Sequence, residues 1–229
     1  MLIVVEGLDG AGKSTQVKRL KEYLQTMPQP LEYIHFPRYE SPVYGKLISE
    51  FLRGEFGDNG SVHPILVALL YAEDRHNAAG ELKEMLQKGG NVLLDRYVYS
   101  NIAYQCAKVT DTEEREKIRK WIIDTEYGDF GLPVPDLNIF LDVPLSFISE
   151  KLSSTRKGSD RSYLDGQKDI HEADLDFQKK VREVYLSQCA QDERFIRIDC
   201  SDSNGRMLPA EEIFLKIKSK VDILFEIQK

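Results

Sequence analysis

Residues 7 to 14 read Gly-Leu-Asp-Gly-Ala-Gly-Lys-Ser, the spacing G-x-x-x-x-G-K-[ST]. Residues in this pattern bind phosphate. Gly7 and Gly12 let the backbone turn tightly and aim N–H groups inward. Lys13 adds a point charge for β- and γ-phosphates, and Ser14 offers a hydroxyl to Mg²⁺. The helix expected from about Lys13 points its positive dipole end at the anion. An apolar run, Leu2 to Val5, precedes the loop, and a helical pattern follows it. The motif needs both. One residue does not fit at first sight, because Asp9 is an acid inside an anion-binding loop.

Other segments carry groups suited to a second ligand. In "NVLLDRYVYSNIAYQ", Asp95 ends an apolar run and Arg96 follows at once. A carboxylate at the carboxyl edge of a sheet, beside the loop, can hold Mg²⁺ or its waters. Asp95 could equally cap a helix, and Arg96 could make a surface ion pair. In "LLYAEDRHNAA", Tyr71 and Arg75 are four apart and share one helix face. Such a pair can stack a base and grip an anion, or be a half-buried Tyr beside an exposed Arg. In "HFPRYESPVYGKLI", Phe36 lines a base pocket or belongs to the core, and Pro37 stiffens the turn before Arg38. Asn101, Tyr104 and Gln105 fall at i, i+3, i+4. Their amides and phenol suit a pyrimidine edge, or else form a solvent face.

These groups need a frame to bring them together. Five short β-rich runs stand out: 2–6, 32–36, 91–95, 137–142 and 194–199. Their nearly continuous apolar character predicts parallel strands covered on both faces. Helical stretches are expected over 13–26, 62–87 and 208–227. Strands alternating with helices predict a doubly wound α/β sheet in one domain, 1–229. Residues 153–169, "SSTRKGSDRSYLDGQKD", break the pattern. They form either a solvated loop or a basic flap over phosphates.

Composition narrows the class. The net charge of −7 gives no global attraction to nucleic acid. The three cysteines, Cys106, Cys189 and Cys200, have no metal-binding spacing and read as reduced thiols of a cytoplasmic protein. No apolar run reaches the ~18 residues that span a bilayer, and no signal-peptide core is present. A guanine-reading Asn-Lys-x-Asp is missing, which argues against a GTPase.

Taken together, the residues resemble the thymidylate (dTMP) kinase family. The similar stretches are "EGLDGAGKST", "FPRY", "YAEDR", "LDRYVYSNIAYQ", "GLPVPDLNIFLDVP" and the basic lid, from residue 1 to about 190. The resemblance implies a P-loop NTPase fold with a five-stranded parallel sheet and a short mobile lid. It implies transfer of the γ-phosphoryl of MgATP to dTMP by a cytoplasmic homodimer without nucleic-acid or membrane partners. ATP would lie on Gly7, Leu8, Asp9, Gly10, Ala11, Gly12, Lys13, Ser14 and Thr15. Thymine would stack near Tyr71 and Phe36, its edge read by Arg75 and Asn101, with Gln105 on the same face. Arg96, helped by Arg38 or Tyr39, would hold the acceptor phosphate, and Tyr104 would crowd the sugar. Asp9 would lie near the acceptor and touch Mg²⁺ through water. The metal set would be Ser14, Asp9, Asp95 and Glu172. One subgroup carries an arginine within the loop, but positions 8 to 11 here contain none. The resemblance therefore moves that positive charge to lid residues Arg156 or Arg161. His171 stands where some members have Tyr.

Two rival readings remain. A nucleoside kinase would want a carboxylate base where this chain has Phe-Pro-Arg after its second strand. A P-loop switch would not need the acceptor arginines.

Overall fold

The computed structural model describes residues 1–153, 163–165, 169–171 and 174–227. Most of the expected lid, including Arg156 and Arg161, and also Glu172, lies outside them.

Five strands form the centre: β1 (Leu2–Gly7), β2 (Leu31–His35), β3 (Asn91–Asp95), β4 (Leu137–Asp142) and β5 (Phe195–Asp199). All pair in parallel, in the order β2-β3-β1-β4-β5. Around them lie α1 (Lys13–Leu24), α2 (Tyr44–Leu52), α3 (Pro64–Gln87), α4 (Val98–Cys106), α5 (Thr112–Ile123), α6 (Leu145–Ser153), α7 (Leu175–Gln191) and α8 (Ala210–Ile227). A single π-helical turn, Asp124–Asp129, continues α5.

Central β1, β3 and β4 are buried at every position, which explains their nearly continuous apolar sequences. The edges differ from the sequence expectation. β2 is only half-buried along its length, and β5 buries Phe195 and Ile198 but exposes Arg197 and Asp199. Each edge strand has one neighbour, so its outer side lacks full cover. The main core joins the inner strands to Leu20 and Leu24 of α1, Ile102 of α4, Val181 and Tyr185 of α7, and Ile213 and Ile217 of α8. A smaller cluster of Ile48, Phe51, Leu52 and Val67 ties α2 to α3.

The topology fixes where a ligand can sit. β1 is central, with β3 on one side and β4 on the other. The connection after β1 runs to one side, toward β2, and the connection after β3 runs to the other, toward β4, opening a crevice at the carboxyl ends of this pair. The Gly7–Ser14 loop leaves β1 at that crevice, and Asp95 and Arg96 leave β3 beside it.

Candidate active site

The phosphate loop has the backbone its sequence demands. Gly10 and Gly12 have φ of 79° and 77°, the left-handed region that a side chain disfavours. Gly12 is the N-cap of α1, and its carbonyl accepts from Thr15 N–H. Lys13 Nζ donates to the carbonyls of Gly7 and Leu8, at 3.2 and 3.0 Å. Burial lowers the Lys13 pKa to about 8, aided by nearby Arg96 and opposed by Asp95, Asp9 and Glu6. A phosphate at the loop would supply the anion that favours the charged amine. Ser14 and Thr15 are exposed on the first turn of α1.

Across the crevice, Arg96 has a φ of 69°, uncommon for a residue with a side chain. A buried acid missed by the sequence reading holds this turn. Glu6 is 0% exposed. It accepts from the backbone N–H groups of Tyr97 and Ser100, at 2.9 and 3.1 Å, and from the hydroxyls of Ser100 and Tyr185. Its carboxylate thereby caps the start of α4 from a neighbouring strand. Burial pushes its pKa up, against the pull of these hydrogen bonds and of Arg96. Backbone strain of this kind costs on the order of 1–3 kcal/mol and persists where the surroundings overdetermine it.

The turn throws the Arg96 side chain into a charged cluster. Nη2 donates to Asp9 Oδ1 at 2.6 Å, and Nη1 donates to Ser100 Oγ at 3.0 Å. The guanidinium carbon lies 5.2 Å from the Tyr104 ring centre. Tyr104 donates its hydroxyl to Asp9 Oδ2 at 2.6 Å. Gln178 completes the frame. Its Nε2 donates to Asp9 Oδ2 at 3.1 Å and to the His171 carbonyl at 2.9 Å, and its Oε1 accepts from Asp9 N–H. Asp9 thus ties the phosphate loop to α4 and α7.

A cleft of about 510 Å³, open mouth included, adjoins this cluster. Phe36, Tyr39, Tyr71 and Tyr104 supply its aromatic walls, and Asp9 and Arg96 its charged end. Arg75, Asn101 and Gln105 line it too. The expected solvent face of α4 is therefore excluded, since Asn101, Tyr104 and Gln105 are all buried. Both amide atoms of Gln105 and Oδ1 of Asn101 are buried without a partner among the described residues. Orphaned polar atoms of this kind, in the wall of a cleft, fit a polar ligand.

Arg75 is not the exposed arginine of the simpler sequence reading. It is 2% exposed and forms a two-pronged ion pair with Glu126, at 2.5 and 2.7 Å. Arg38, in contrast, is held away from the cleft lining. Its Nε meets Asp74 Oδ1 at 3.0 Å, and its Nη2 reaches Asp74 O and Asn77 Oδ1. Tyr39 lies flat on Tyr163, ring centres 3.8 Å apart, and Tyr163 donates to Asp169 Oδ2. Asp169 also accepts from His171 N–H. The buried His171 ring packs near Phe51, Tyr104 and Phe177, and its Nε2 has no partner among the described residues. Burial, with the Lys108 charge nearby, lowers its pKa to about 3, so the ring is neutral at pH 7.

The possible cation site has two clear members. Asp95 takes His35 Nδ1 at 3.3 Å on one oxygen, while Oδ1 is buried with no partner among the described residues. Burial alone would raise its pKa. His35, Lys13 and Arg96 outweigh that effect and leave it below the ordinary value. The orphaned carboxylate oxygen and the Ser14 hydroxyl are hard oxygen donors of the kind Mg²⁺ takes alongside water and substrate phosphates. Both Asp9 oxygens already hold hydrogen bonds, so Asp9 would approach such an ion through water.

A parallel sheet with a phosphate loop on β1, and an arginine-ended cleft facing it, defines a P-loop phosphotransferase of the small-kinase type. The comparisons with known proteins make this specific. The family model described as Thymidylate kinase matches residues 5–208. A thymidylate kinase from Mycobacterium tuberculosis is 32% identical over 191 residues, 83% of this chain and 86% of that protein. One from Leifsonia xyli is 33% identical over 224 residues, covering 97% and 94%. Among solved structures, a thymidylate kinase from Candida albicans superposes with a TM-score of 0.72 at 26% identity, covering 97% of this chain and 91% of its own. The chain belongs to the thymidylate kinase family.

Proposed function

We propose that this chain transfers the γ-phosphoryl of ATP to the 5′-phosphate of dTMP, giving dTDP and ADP for dTTP synthesis. The observation that carries the reading is the cleft itself. Its lining brings Arg96, paired to Asp9 of the phosphate loop, together with aromatic rings and with amide atoms of Asn101 and Gln105 that have no partner among the described residues.

Each residue then has a task set by its position. Backbone N–H groups from Gly7 to Thr15 and the Lys13 ammonium hold the ATP phosphates. Arg96 holds the acceptor phosphate, exchanging part of its Asp9 pairing for the ligand. Asp9, Tyr104 and Gln178 keep that guanidinium aimed. Phe36 and Tyr71 pack on the pyrimidine, Arg75 and Asn101 bond its edge, and Gln105 bonds the same ring. Tyr104 crowds the 2′ position. Arg38 acts indirectly, by fixing the turn between β2 and α2 through Asp74.

Ser14 and Asp95 would hold Mg²⁺, which supplies charge neutralisation between the phosphates. The phosphoryl group also needs positive charge as it loosens from ADP. Arg156 or Arg161 supplies that charge in this reading, since the loop has none beyond Lys13. The acceptor is a phosphate with a second pKa of about 6, so it needs no strong base. Lid closure over 153–169 would exclude water and limit ATP hydrolysis.

The chain works as a cytoplasmic homodimer in this reading. Leu66 and Leu69, exposed three apart on α3, support a subunit contact. The free cysteines support a reducing compartment. No described helix is long and apolar enough to cross a membrane. Calorimetric titration with dTMP, with and without ADP and Mg²⁺, tests the substrate assignment. Saturable dTMP binding that is lost in Arg96→Ala supports it, and equal binding by the variant contradicts it.

A further inference from the structure

Glu126 has no substrate contact to make, being 0% exposed behind Arg75 and Asn101. It nevertheless touches both residues assigned to the pyrimidine edge. Arg75 spends Nε and Nη2 on its two oxygens. Asn101 donates Nδ2 to Glu126 Oε1 at 2.9 Å and to the Ala68 carbonyl at 3.0 Å. Both partners of that amide nitrogen can only accept, so the amide has one permitted orientation. Its oxygen is left as the free group, and it has no partner among the described residues. Arg75 Nη1, with no hydrogen bond to the described residues, remains a pure donor.

We propose that Glu126 is a positioning residue that sets base selectivity. The proposal rests on the dTMP reading of the cleft. Glu126 fixes a donor from Arg75 next to an acceptor from Asn101. A 4-oxo, N3–H pyrimidine offers the complementary acceptor and donor. A 4-amino pyrimidine offers donor and acceptor in reverse order, meeting N–H with N–H and lone pair with lone pair. The pattern depends on a carboxylate at position 126, because a carboxamide can donate as well as accept. In the Glu126→Gln variant only the Ala68 carbonyl still demands the Asn101 amide nitrogen, and Arg75 loses its charged partner, so the order of the pattern is held less firmly. The π-helical turn that carries Glu126 is of a kind found often at functional sites.

The test is steady-state kinetics of Glu126→Gln with dTMP and with dCMP as acceptors, the fold being checked by circular dichroism. The expected result is a dTMP KM about tenfold higher, near-normal kcat, and a dTMP-over-dCMP preference in kcat/KM reduced about 10²-fold. Glu126→Asp keeps the acceptor-only carboxylate on a shorter stem that cannot reach both partners as well, and should show a preference between those of the wild type and Glu126→Gln. An unchanged preference in folded Glu126→Gln would overturn the proposal. So would an equal loss with both nucleotides, which marks a purely structural role. Should Glu126→Gln not fold, Glu126→Asp decides alone: a measurably reduced preference with kcat retained supports the proposal, and a wild-type preference overturns it. Absence of dTMP turnover in the unmodified protein would instead overturn the function on which the proposal rests, and the proposal with it.

Discussion

Arg96 and Asp9 meet at 2.6 Å, joining the residue after β3 to the middle of the phosphate loop. Burial alone would raise the Asp9 pKa. Arg96, then Lys13 and the Tyr104 hydroxyl, reverse this and hold it well below the ordinary carboxylate range. Asp9 therefore stays ionised at all working pH values and keeps Arg96 aligned before any acceptor arrives. This accounts for an acid in an anion-binding loop. In the proposed reading it balances the cation that holds the second substrate.

Arg96→Ala should remove the acceptor's anchor and leave the fold, since Glu6 continues to cap α4. The expected loss in kcat/KM for dTMP is about 10³-fold, in line with removal of a charge-assisted contact from a water-poor site. Kinetics paired with a thermal melt check this. A variant with near-normal kcat/KM would remove Arg96 from the site.

Gln178→Met should loosen the same contact from behind. It removes three hydrogen bonds, to Asp9 Oδ2, to the His171 carbonyl and from Asp9 N–H. Stability should fall by about 1–3 kcal/mol, and the dTMP KM should rise while ATP KM changes little. Denaturant unfolding and the two KM values provide the measurement. An ATP KM that rises as much as that of dTMP would contradict the acceptor-side role.

Arg156→Ala and Arg161→Ala should lower kcat more than ATP affinity, because a lid arginine acts on the phosphoryl group in transit. Single-turnover kinetics and ATP titration separate the two effects. Wild-type kcat in both variants would leave the transition state without its proposed charge.

Lys108→Met offers a pH test of burial. Lys108 Nζ lies 4.9 Å from the Phe51 ring centre and lacks a hydrogen-bond partner among the described residues. Burial lowers its pKa to about 7. Between that value and the unfolded value of about 10.4, the unfolded chain holds the proton and the folded chain has released it. Stability from this group therefore falls as pH drops from 10.4 toward 7 and recovers as pH rises across that window. The variant should be more stable at pH 7, by about 1–3 kcal/mol, and the gain should vanish toward pH 10.5. Urea unfolding at both pH values gives the answer. An equal effect at the two would rule out the ionisation as its cause.

The parts legible in sequence are those where one local rule suffices. The phosphate loop sits in its motif, and β3 and β4 begin and end at the expected residues because burial on both faces leaves a nearly continuous apolar run. The five-stranded parallel sheet follows from their alternation with helices. α2 escapes a sequence reading, since its nine residues carry too few turns of pattern to stand out. Glu6, Glu126, Gln178 and Asp74 are illegible for another reason. Each is a polar residue whose meaning lies in a partner 91, 51, 169 or 36 positions away. Glu6 in particular reads locally as the end of an apolar run, when it is the buried cap of α4. Arg75 and Arg38 show the same limit, as sequence marks them as cations and only packing shows which acid each one faces.

The central claim is that the Arg96 end of the cleft receives a nucleotide phosphate and the opposite end a thymine. ADP release from MgATP, measured in parallel with dTMP, dUMP, UMP, thymidine or no acceptor, tests it most directly. The account predicts acceptor-dependent ADP release that is fastest with dTMP and accompanied by equal amounts of dTDP. Turnover with thymidine alone, or ADP release indifferent to every acceptor, would contradict it.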